Sequence, residues 1–290
     1  MSHVADRRQC FAEEIQAIGN LQTGALVEAL ATVPREQFLP PGPWVIRSEG
    51  DVGGQPRQTR DDDPRHVYHN LSIAIDPARQ LFNGAPSIVA SWIDALGLRP
   101  GLHVLHIGCG LGYYSALIAH CVGATGRVVA VEVDDALARD ARAKLAWLRW
   151  VDVRHGDGSR TDGELFDGIL VNAGVTHPHQ AWLDALNPGG RLVLPLTCTM
   201  PQTGALGKGI VALISRPDTP TDPSGFDARV LQGMVAIYSA VGIRDPQMND
   251  QLGKAMMRSF IPNFKRLRRD AHEALSTCWL HGNGFCLSSS

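Results

Sequence analysis

A glycine-rich turn is the segment of this sequence with the clearest chemical potential. A strand predicted at 103–107 runs directly into Gly108-Cys-Gly-Leu-Gly112, and a helix is expected to begin at Tyr113. Glycines let the backbone approach a ligand closely, and the first turn of a helix presents free N–H groups to an anionic end. Twenty residues beyond Gly112, at the end of the next predicted strand, Glu132 is placed to accept hydrogen bonds from ribose hydroxyls. The sequence therefore predicts a nucleoside site.

The glycine spacing helps to choose the nucleoside. The dinucleotide fingerprint is Gly-x-Gly-x-x-Gly, whereas this loop closes one residue earlier, which disfavours a pyrophosphate. After the short third strand, Gly156-Asp-Gly158 places Asp157 to hold an adenine amino group, although a simple Asp-Gly turn is an equal alternative. The residues predicted to line the ligand are Gly108, Cys109, Gly110, Gly112, Tyr113, Glu132, Val133, Asp157, Gly158 and Asn172.

The elements around these residues follow a β-α alternation from about 86 to 200. Near-continuous apolar strands suit a parallel sheet that is covered on both faces, so we predict a doubly wound, mostly parallel α/β sheet. The predicted strands are 103–107, 127–132, 152–154, 168–171 and 191–196, and the predicted helices are 86–96, 113–122 and 135–148. This core, 86–200, follows N-terminal helices and a substrate-side loop at 1–85 and precedes a C-terminal extension at 201–290.

The flanking segments have patterns of their own. Apolar residues recur at helical spacing up to about residue 32, with a break between Gly19 and Gly24, which predicts two helices. Proline, glycine and charged residues dominate 33–76, which predicts loop. In the extension we expect a strand at 208–215, mixed strand or helix at 228–241, and an ordered strand near 278–287.

Composition excludes several classes of protein. Of 290 residues, 44% are hydrophobic and 19% charged, which rules out disorder across the whole chain. The net charge of -2 provides no overall basic field, so we expect no nucleic-acid partner. No run approaches the roughly 18 apolar residues of a membrane span, and acids occupy the N-terminal residues where a secretory signal needs an apolar core. We therefore expect a cytoplasmic protein without a membrane partner.

The six cysteines are scattered and include no Cys-x-x-Cys pair. No tight cluster of cysteine and histidine has the spacing of a zinc site, so we expect mostly buried, reduced thiols and no metal. Two histidines, His177 and His179, follow the strand that ends near Asn172. They are interpreted as polar residues at the rim of the site rather than as metal ligands.

Together, these motifs resemble those of class I S-adenosylmethionine-dependent methyltransferases, with Gly108–Gly112 like motif I, Glu132 like the ribose acid and Gly156–Gly158 like the adenine-side motif. Further segments are similar in order and spacing to the protein-L-isoaspartate O-methyltransferase family, and the resemblance covers about 30 to 200. These segments are Val33–Pro40, Tyr68 with Leu71–Ile75, Pro86–Ala90, Leu96–Gly101, Phe166–Ile169 and Leu186–Val193. The resemblance implies a Rossmann-like fold, S-adenosyl-L-methionine as cofactor and methylation of a carboxylate on a protein or peptide.

One segment departs from the family. Before the proline that corresponds to Pro86, the family carries a Gly-Gln-Thr-Ile-Ser type segment whose serine contacts the substrate carboxylate, and Gly84 stands at that serine position here. Asn83 could donate through its amide instead, or backbone N–H groups could serve. The predicted catalytic residues are Tyr68, Asn83 and Gly84, and the other candidate donors nearby are His66, His69 and Arg79.

The sequence is also compatible with other acceptors and other functions. A carboxylate acceptor is already ionised and needs positioning more than a base. A hydroxyl or amine of a small metabolite would need one, and His66, His69 or His177 could supply it. A third hypothesis is a relative that binds the cofactor without turnover, and a fourth is an NAD oxidoreductase.

Overall fold

The computed structural model describes residues 3–48, 55–200, 204–219 and 225–290. The chain forms two compact units: the first unit comprises Met1–Leu102 and Cys109–His155, and the second unit comprises His103–Gly108 and Gly156–Ser290. The three segments predicted above, 1–85, 86–200 and 201–290, stay a prediction. Among the described residues, no helix combines the length and apolar character needed to cross a membrane.

The helices and strands follow the chain in a simple order. Short 3-10 helices lie at Arg35–Phe38 and Pro64–Val67. The other elements are α1 (His3–Gly19), α2 (Gly24–Thr32), β1 (Val45–Ser48), β2 (Arg57–Gln58), β3 (Leu71–Asp76), β4 (Leu81–Phe82), α3 (Pro86–Ala95), β5 (His103–Ile107), α4 (Tyr113–Val122), β6 (Arg127–Glu132), α5 (Asp135–Leu145), β7 (Val151–His155), β8 (Phe166–Val171), α6 (Gln180–Asp184), β9 (Leu186–Cys198), β10 (Leu206–Ser215), β11 (Gly225–Tyr238), α7 (Pro246–Arg258), β12 (Arg266–Arg268), β13 (Cys278–Gly282) and β14 (Phe285–Ser288).

The N-terminal part of the first unit contains the two predicted helices. The break between α1 and α2 lies where Asn20 adopts a positive φ of 48°, a conformation that asparagine tolerates better than most residues. Phe11 and Ile15 on α1, and Leu26 on α2, are buried. This apolar face explains why both helices form although glycines interrupt the pattern.

The loop predicted for 33–76 is wrong in part, because this region supplies most of a small antiparallel sheet of the first unit. Its strand order is β2-β1-β3-β4. Ile46 on β1 lies opposite Ile73 on β3, and both are buried. These strands have two to six residues, too short to show alternation between the proline-rich and charged turns. The loop prediction for 49–54 lies outside the described residues.

The remaining elements of the first unit agree with the predictions. Helices α3, α4 and α5 begin at the predicted residues and end within three residues of the predicted ends. Strands β6 and β7 pair in parallel, with Glu132 opposite His155 at their carboxyl ends. Glu132 therefore ends a buried strand, as predicted.

The second unit contains a mixed sheet in the order β13-β14-β12-β11-β10-β9-β8-β5. Strands β5, β8 and β9 are parallel, as predicted for the core, and every strand after β9 pairs antiparallel. The ambiguous segment 228–241 lies largely in the strand β11. The extension also contains α7, which was not predicted and which buries Met248, Leu252 and Ala255 on one face.

Candidate active site

The glycine turn adopts a conformation that few other residues could share. Gly112, the residue before α4, has a φ of 93°, and a β-carbon there would lie 2.7 Å from Leu145 Cδ1. Gly110 also has a positive φ, of 55°. The backbone N–H of Cys109 donates to Val131 O at 3.1 Å, which ties the turn to β6. The turn is thus held tightly without bulky side chains, as an approaching ligand requires.

Both carboxylate oxygens of Glu132 are fixed by backbone donors. Oε2 accepts from the Gly110 N–H at 2.8 Å, and Oε1 accepts from the Asp134 N–H at 3.1 Å. The side chain is largely buried, with 7% exposed. A carboxylate oxygen has more than one lone pair, so each oxygen can still accept a hydroxyl. The next residue, Val133, is exposed, unlike the buried strand before it. The carboxylate is therefore oriented before any ligand binds.

Two further predicted ligand residues of the first unit are buried. Burial, reinforced by the Glu132 carboxylate, raises the pKa of the Cys109 thiol far above its usual range, so it stays neutral. The Tyr113 ring packs 5.9 Å from Phe38, and its buried hydroxyl has no hydrogen-bond partner within the described ranges. Because buried hydroxyls in proteins are nearly always paired, this one is available for a bound polar group.

Asn83 presents a buried amide donor. Its Oδ1 accepts from the Ile73 N–H at 2.9 Å, and its own backbone N–H donates to Ile73 O at 2.9 Å. These two bonds fix the side chain against β3. Its Nδ2 is buried and finds no hydrogen-bond partner among the residues that the structure describes. The amide can therefore donate to an acceptor that binds there.

The residues from 68 to 84, where the methyl acceptor is predicted to bind, form the acceptor segment. This segment lies beside the glycine turn within the first unit. Gly84 O accepts a hydrogen bond of 3.1 Å from the Tyr114 hydroxyl, which links this segment to α4. Ile75 on β3 brings its Cδ1 within 3.3 Å of the position that a β-carbon on Gly110 would take. The fold thus brings the residues around Asn83 next to the turn that was predicted to bind the nucleoside.

The Tyr68 hydroxyl belongs to a hydrogen-bond network within the protein. Its hydroxyl donates to Glu36 Oε2 and accepts from Arg8 Nε at 2.8 Å and from the Arg35 N–H at 3.2 Å. Burial and the Glu36 carboxylate raise the pKa of Tyr68 well above its usual range. These contacts favour a positioning role over the predicted catalytic one, because the hydroxyl is already committed to protein groups.

The predicted adenine-side residues lie in the second unit. Asp157 Oδ1 accepts from Ser159 at both the backbone N–H, 2.9 Å, and the hydroxyl, 2.6 Å, and these bonds lower the pKa of the Asp157 carboxyl. A β-carbon on Gly158 would lie 2.5 Å from Ile107 Cγ2. The Asn172 N–H donates to Ile107 O at 2.8 Å. Asp157 and Gly158 thus lie in an anionic turn that packs on Ile107, and Asn172 is bonded to the same residue at the carboxyl end of β5.

Comparisons with known proteins decide the family. A family model described as Protein-L-isoaspartate(D-aspartate) O-methyltransferase (PCMT) matches residues 56–206. The protein-L-isoaspartate O-methyltransferase 1 of Rhodopseudomonas palustris is 37% identical over 199 residues, which cover 67% of this chain and 71% of the relative. The chain belongs to the protein-L-isoaspartate O-methyltransferase family.

Other relatives agree with this membership. The Methanopyrus kandleri protein-L-isoaspartate O-methyltransferase is 31% identical over 194 residues, 65% of this chain and 76% of that one. A solved protein-L-isoaspartate O-methyltransferase superposes with a TM-score of 0.58 at 20% identity and covers 89% of this chain and 71% of its own. A Plasmodium falciparum structure described as a beta-aspartate methyltransferase in complex with S-adenosyl-L-homocysteine gives 0.58 at 15% identity, covering 80% and 97%.

This family member is an S-adenosylmethionine-dependent methyltransferase with the Rossmann-like fold of class I methyltransferases, as predicted. Its own residues fit the cofactor. A buried carboxylate, Glu132, is oriented for hydroxyl groups, and the buried hydroxyl of Tyr113 lacks a partner in the described parts of the chain. The glycine turn carries no side chain at Gly110 and Gly112, directly before α4. Glu132, Tyr113 and the turn are thus the groups of the first unit that would hold it.

The candidate polar groups around the acceptor segment are mostly engaged with protein partners. His66 Nε2 lies 2.6 Å from Asp61 Oδ1, and Arg79 Nη1 donates to Asp134 Oδ2 at 2.5 Å. His69 is exposed on the surface. These three residues are therefore poorer candidates for a carboxylate donor than Asn83.

The two rim histidines stack on each other in the second unit. Their ring centroids are 4.9 Å apart, His177 Nδ1 lies 2.9 Å from Thr176 Oγ1, and His179 Nε2 lies 3.1 Å from Ile243 O. Burial and the neighbouring His179 lower the pKa of His177. Neither histidine belongs to a metal-ligating cluster in the described ranges.

Arg35 positions the segment before β3, a role that was not predicted, although it lies in a segment quoted for the resemblance. It is fully buried, and its guanidinium donates to the carbonyl oxygens of Val67, His69 and Leu71 at 2.7, 3.0 and 2.7 Å. Three charge-assisted bonds fix the backbone just before β3. The segment Val33–Pro40 offered no signal beyond the Arg35–Glu36 charge pair among apolar residues.

Proposed function

We propose that this enzyme methylates a carboxylate of a protein or peptide, with the isoaspartyl side chain as the first substrate to test. The bound cofactor supplies an electrophilic methyl group on a sulfonium. Family membership and the similarity to the Rhodopseudomonas protein-L-isoaspartate O-methyltransferase support this reaction class. A protein or peptide is therefore the expected partner, and a cytoplasmic location remains a prediction from the sequence.

The observation that carries the proposal is the buried Nδ2 of Asn83. Because Oδ1 is held by the Ile73 N–H, the amide is oriented with its donor group free of other described partners. A neutral N–H donor suits a carboxylate nucleophile, since it compensates the loss of water without protonating the oxygen. Asn83 thus supplies a hydrogen-bond donor beside the position where the family has a serine.

The backbone conformation at Gly84 disfavours the serine that the family has at this position. Its φ is 79°, and a β-carbon there would lie 3.1 Å from Val89 Cγ2. A serine in this backbone conformation would be strained, because L residues rarely adopt a positive φ. The backbone here suits glycine, and in this proposal the neighbouring Asn83 donates the hydrogen bond to the substrate carboxylate.

A carboxylate acceptor also fits the groups near Asn83. Carboxylate attack needs no general base, only alignment and exclusion of water. Of the histidines suggested as bases, His66 is paired with Asp61 and His69 is exposed, so neither is a free, shielded base. The alternative from the sequence is methylation of a metabolite hydroxyl or amine, which needs a general base. Neither His66 nor His69, in or next to the first unit's acceptor segment, fits that role.

The cofactor contacts follow from the predicted residues. We assign the ribose hydroxyls to Glu132 and a polar group of the cofactor to the Tyr113 hydroxyl, with Val133 as a further proposed contact. Asp157 and Asn172 of the second unit stay predictions from the sequence. Gly110 and Gly112 let the cofactor approach the backbone of the turn closely, and Gly108 and Gly158 stay predictions from the sequence. In this assignment the protein binds and orients the reactants, and no side chain transfers a proton.

The deciding experiment is transfer of a radiolabelled methyl group to an isoaspartyl peptide and to its normal aspartyl twin. The expected result is label on the isoaspartyl peptide alone, released by mild base as expected of a carboxyl ester. Label on neither peptide would reject isoaspartyl repair. Base-stable label would reject a carboxylate acceptor altogether.

A further inference from the structure

Four potential metal ligands come together near the end of the chain. The ligand atoms of His272, Cys278, His281 and Cys286 all lie within 4.8 Å of one another, in the second unit. The sequence predicted no metal ligands and scattered cysteines; the fold instead groups two of those cysteines with two histidines. We propose that these four residues bind one Zn²⁺ in a structural Cys2His2 site.

The β13–β14 hairpin explains how the ligands share one face. His281 lies directly opposite Cys286 across the two strands. Cys278 is three residues before His281, and in a regular strand residues three apart point to opposite faces. A register shift between Cys278 and Leu280 adds one residue to β13. Such a bulge re-aims the side chain, so Cys278 joins the other two ligands.

The ligand atoms already lie near the spacing of a tetrahedral site, although the two sulfur atoms are closer than that spacing. Cys278 Sγ lies 3.7 Å from His272 Nε2 and 2.8 Å from Cys286 Sγ, and the two imidazole centroids are 4.9 Å apart. Bonds of about 2.3 Å to sulfur and about 2.0 Å to nitrogen place tetrahedral ligand atoms about 3.3–3.8 Å apart. The two sulfur atoms would move apart when the ion binds, which would complete the tetrahedral geometry.

A second observation points to a ligand. His281 Nδ1 is buried and has no hydrogen-bond partner among the described residues. An imidazole nitrogen without a partner is costly in a protein interior, and a metal ion would satisfy it. His281 is also one of the four residues whose ligand atoms lie within 4.8 Å of one another, so the same ion would account for both features.

The surrounding groups orient the ligands in the manner of known zinc sites. His272 Nδ1 lies 2.9 Å from Asp270 O, which leaves Nε2 directed to the cluster. Arg268 donates to both Asp270 carboxylate oxygens at 2.9 and 2.5 Å. The Leu275 N–H donates to Cys278 Sγ at 3.3 Å, a contact that stabilises a thiolate. Partners of this kind fix ligand orientation and strengthen metal binding.

Four protein ligands leave no open position for a substrate, so the ion would be structural rather than catalytic. It would join the loop that carries His272 to the hairpin, whose strand β13 lies at the edge of the second unit's sheet. None of the residues from 269 to 277 is buried, so this loop lacks an apolar core of its own. A bound ion would supply the missing constraint.

The test is the metal content of the full-length chain, purified under reducing conditions and measured by native mass spectrometry and elemental analysis. We expect one zinc ion per chain, together with a fall in Tm when a chelator removes it and recovery when zinc is restored. Co²⁺ in place of zinc should give the visible thiolate absorption of a tetrahedral site. Absence of zinc and of the Co²⁺ spectrum would overturn the proposal.

Variants separate this site from general thiol binding. Cys278→Ser and His281→Ala should lose the ion, whereas Cys198→Ser, which removes a free and partly buried thiol outside the cluster, should retain it. Unchanged metal content in the first two variants would reject the site. A Cys278–Cys286 disulfide in the reduced, purified chain, seen by peptide mapping, would also reject it, because both thiols must be free to ligate. The Co²⁺ spectrum of the unaltered chain keeps the test decisive if a variant does not fold.

Discussion

The backbone N–H of Gly110 donates a 2.8 Å hydrogen bond to Glu132 Oε2, so the glycine turn and the proposed ribose-binding carboxylate hold each other in place. Glu132→Ala removes the acceptor for that N–H and for the ribose hydroxyls. We expect S-adenosyl-L-homocysteine to bind roughly 10- to 100-fold more weakly by calorimetry, since a hydrogen bond to a charged group contributes about 1.5–3 kcal/mol.

The matched control for Glu132 is Glu13→Ala, which removes a carboxylate from the exposed face of α1. Its affinity should equal that of the unaltered enzyme. Glu132→Gln keeps one acceptor oxygen and should fall between the two. Equal binding by Glu132→Ala and the unaltered enzyme would show that the ribose is bound elsewhere.

Asn83→Asp tests the proposed donor with little change of shape. The new carboxylate can still accept from the Ile73 N–H, but it replaces the free Nδ2 donor with a negative charge. We expect kcat/KM for the methyl-accepting peptide to fall at least about tenfold, because a donor to a carboxylate becomes a like charge. Binding of S-adenosyl-L-homocysteine should stay the same.

Asn70→Asp is the control for that change, because the Asn70 Oδ1 also accepts a backbone N–H, that of Ser87, at 3.0 Å. It should retain activity within about twofold, as expected for a substitution that keeps its main hydrogen bond. If Asn83→Asp keeps full activity, Asn83 does not contact the acceptor. If both variants lose activity equally, the effect comes from added charge near β3.

Two glycines with the same backbone conformation separate strain from packing. Gly158 and Gly163 both have a φ of 76°, but a β-carbon on Gly158 would lie 2.5 Å from Ile107 Cγ2, whereas one on Gly163 meets nothing within 4 Å. Alanine at either position costs about 1–2 kcal/mol for the left-handed backbone. Gly158→Ala should cost about 1–3 kcal/mol more in urea unfolding, because it also overpacks the site. Equal losses would mean that Ile107 moves aside freely.

The sequence predicted the core well because its strands carry a strong local signal. The apolar runs of β5, β6 and β8 are buried in the structure and needed only to be recognised as continuous. The short strands of the antiparallel sheet in the first unit were missed, since pairing of Ile46 with Ile73 is a tertiary property that no local pattern encodes. Helix α7 was missed despite its signals, the cap Asp245 followed by Pro246.

The site residues divide in the same way. Spacing alone placed Glu132 at the end of its strand, but its bonds to Gly110 and Asp134 depend on how the turn folds back. Asn83 was proposed only as a neighbour of Gly84. That its buried Nδ2 has no partner among the described residues is visible only in three dimensions. The metal cluster was missed because five, two and four residues separate its ligands along the chain, and a β-bulge aligns them.

His106 on β5 gives a prediction for stability against pH. It is fully buried, and burial lowers its pKa to about 3. The unfolded chain protonates this residue near the ordinary value of about 6.5, while the folded chain keeps it neutral. As the pH falls below about 6.5, the unfolded state binds a proton that the native state does not. His106 should therefore contribute a fall of about 1.4 kcal/mol per pH unit to the free energy of unfolding until the pH approaches 3.

His106→Gln removes this proton-binding group, so the loss of stability between pH 7 and pH 5 should shrink by about 2 kcal/mol relative to the unaltered enzyme. Urea unfolding at the two pH values measures it, and comparing the two slopes cancels any packing loss common to both. If His106→Gln gives the same slope as the unaltered enzyme, His106 is protonated in the fold or stays neutral in both states, and burial does not govern its titration.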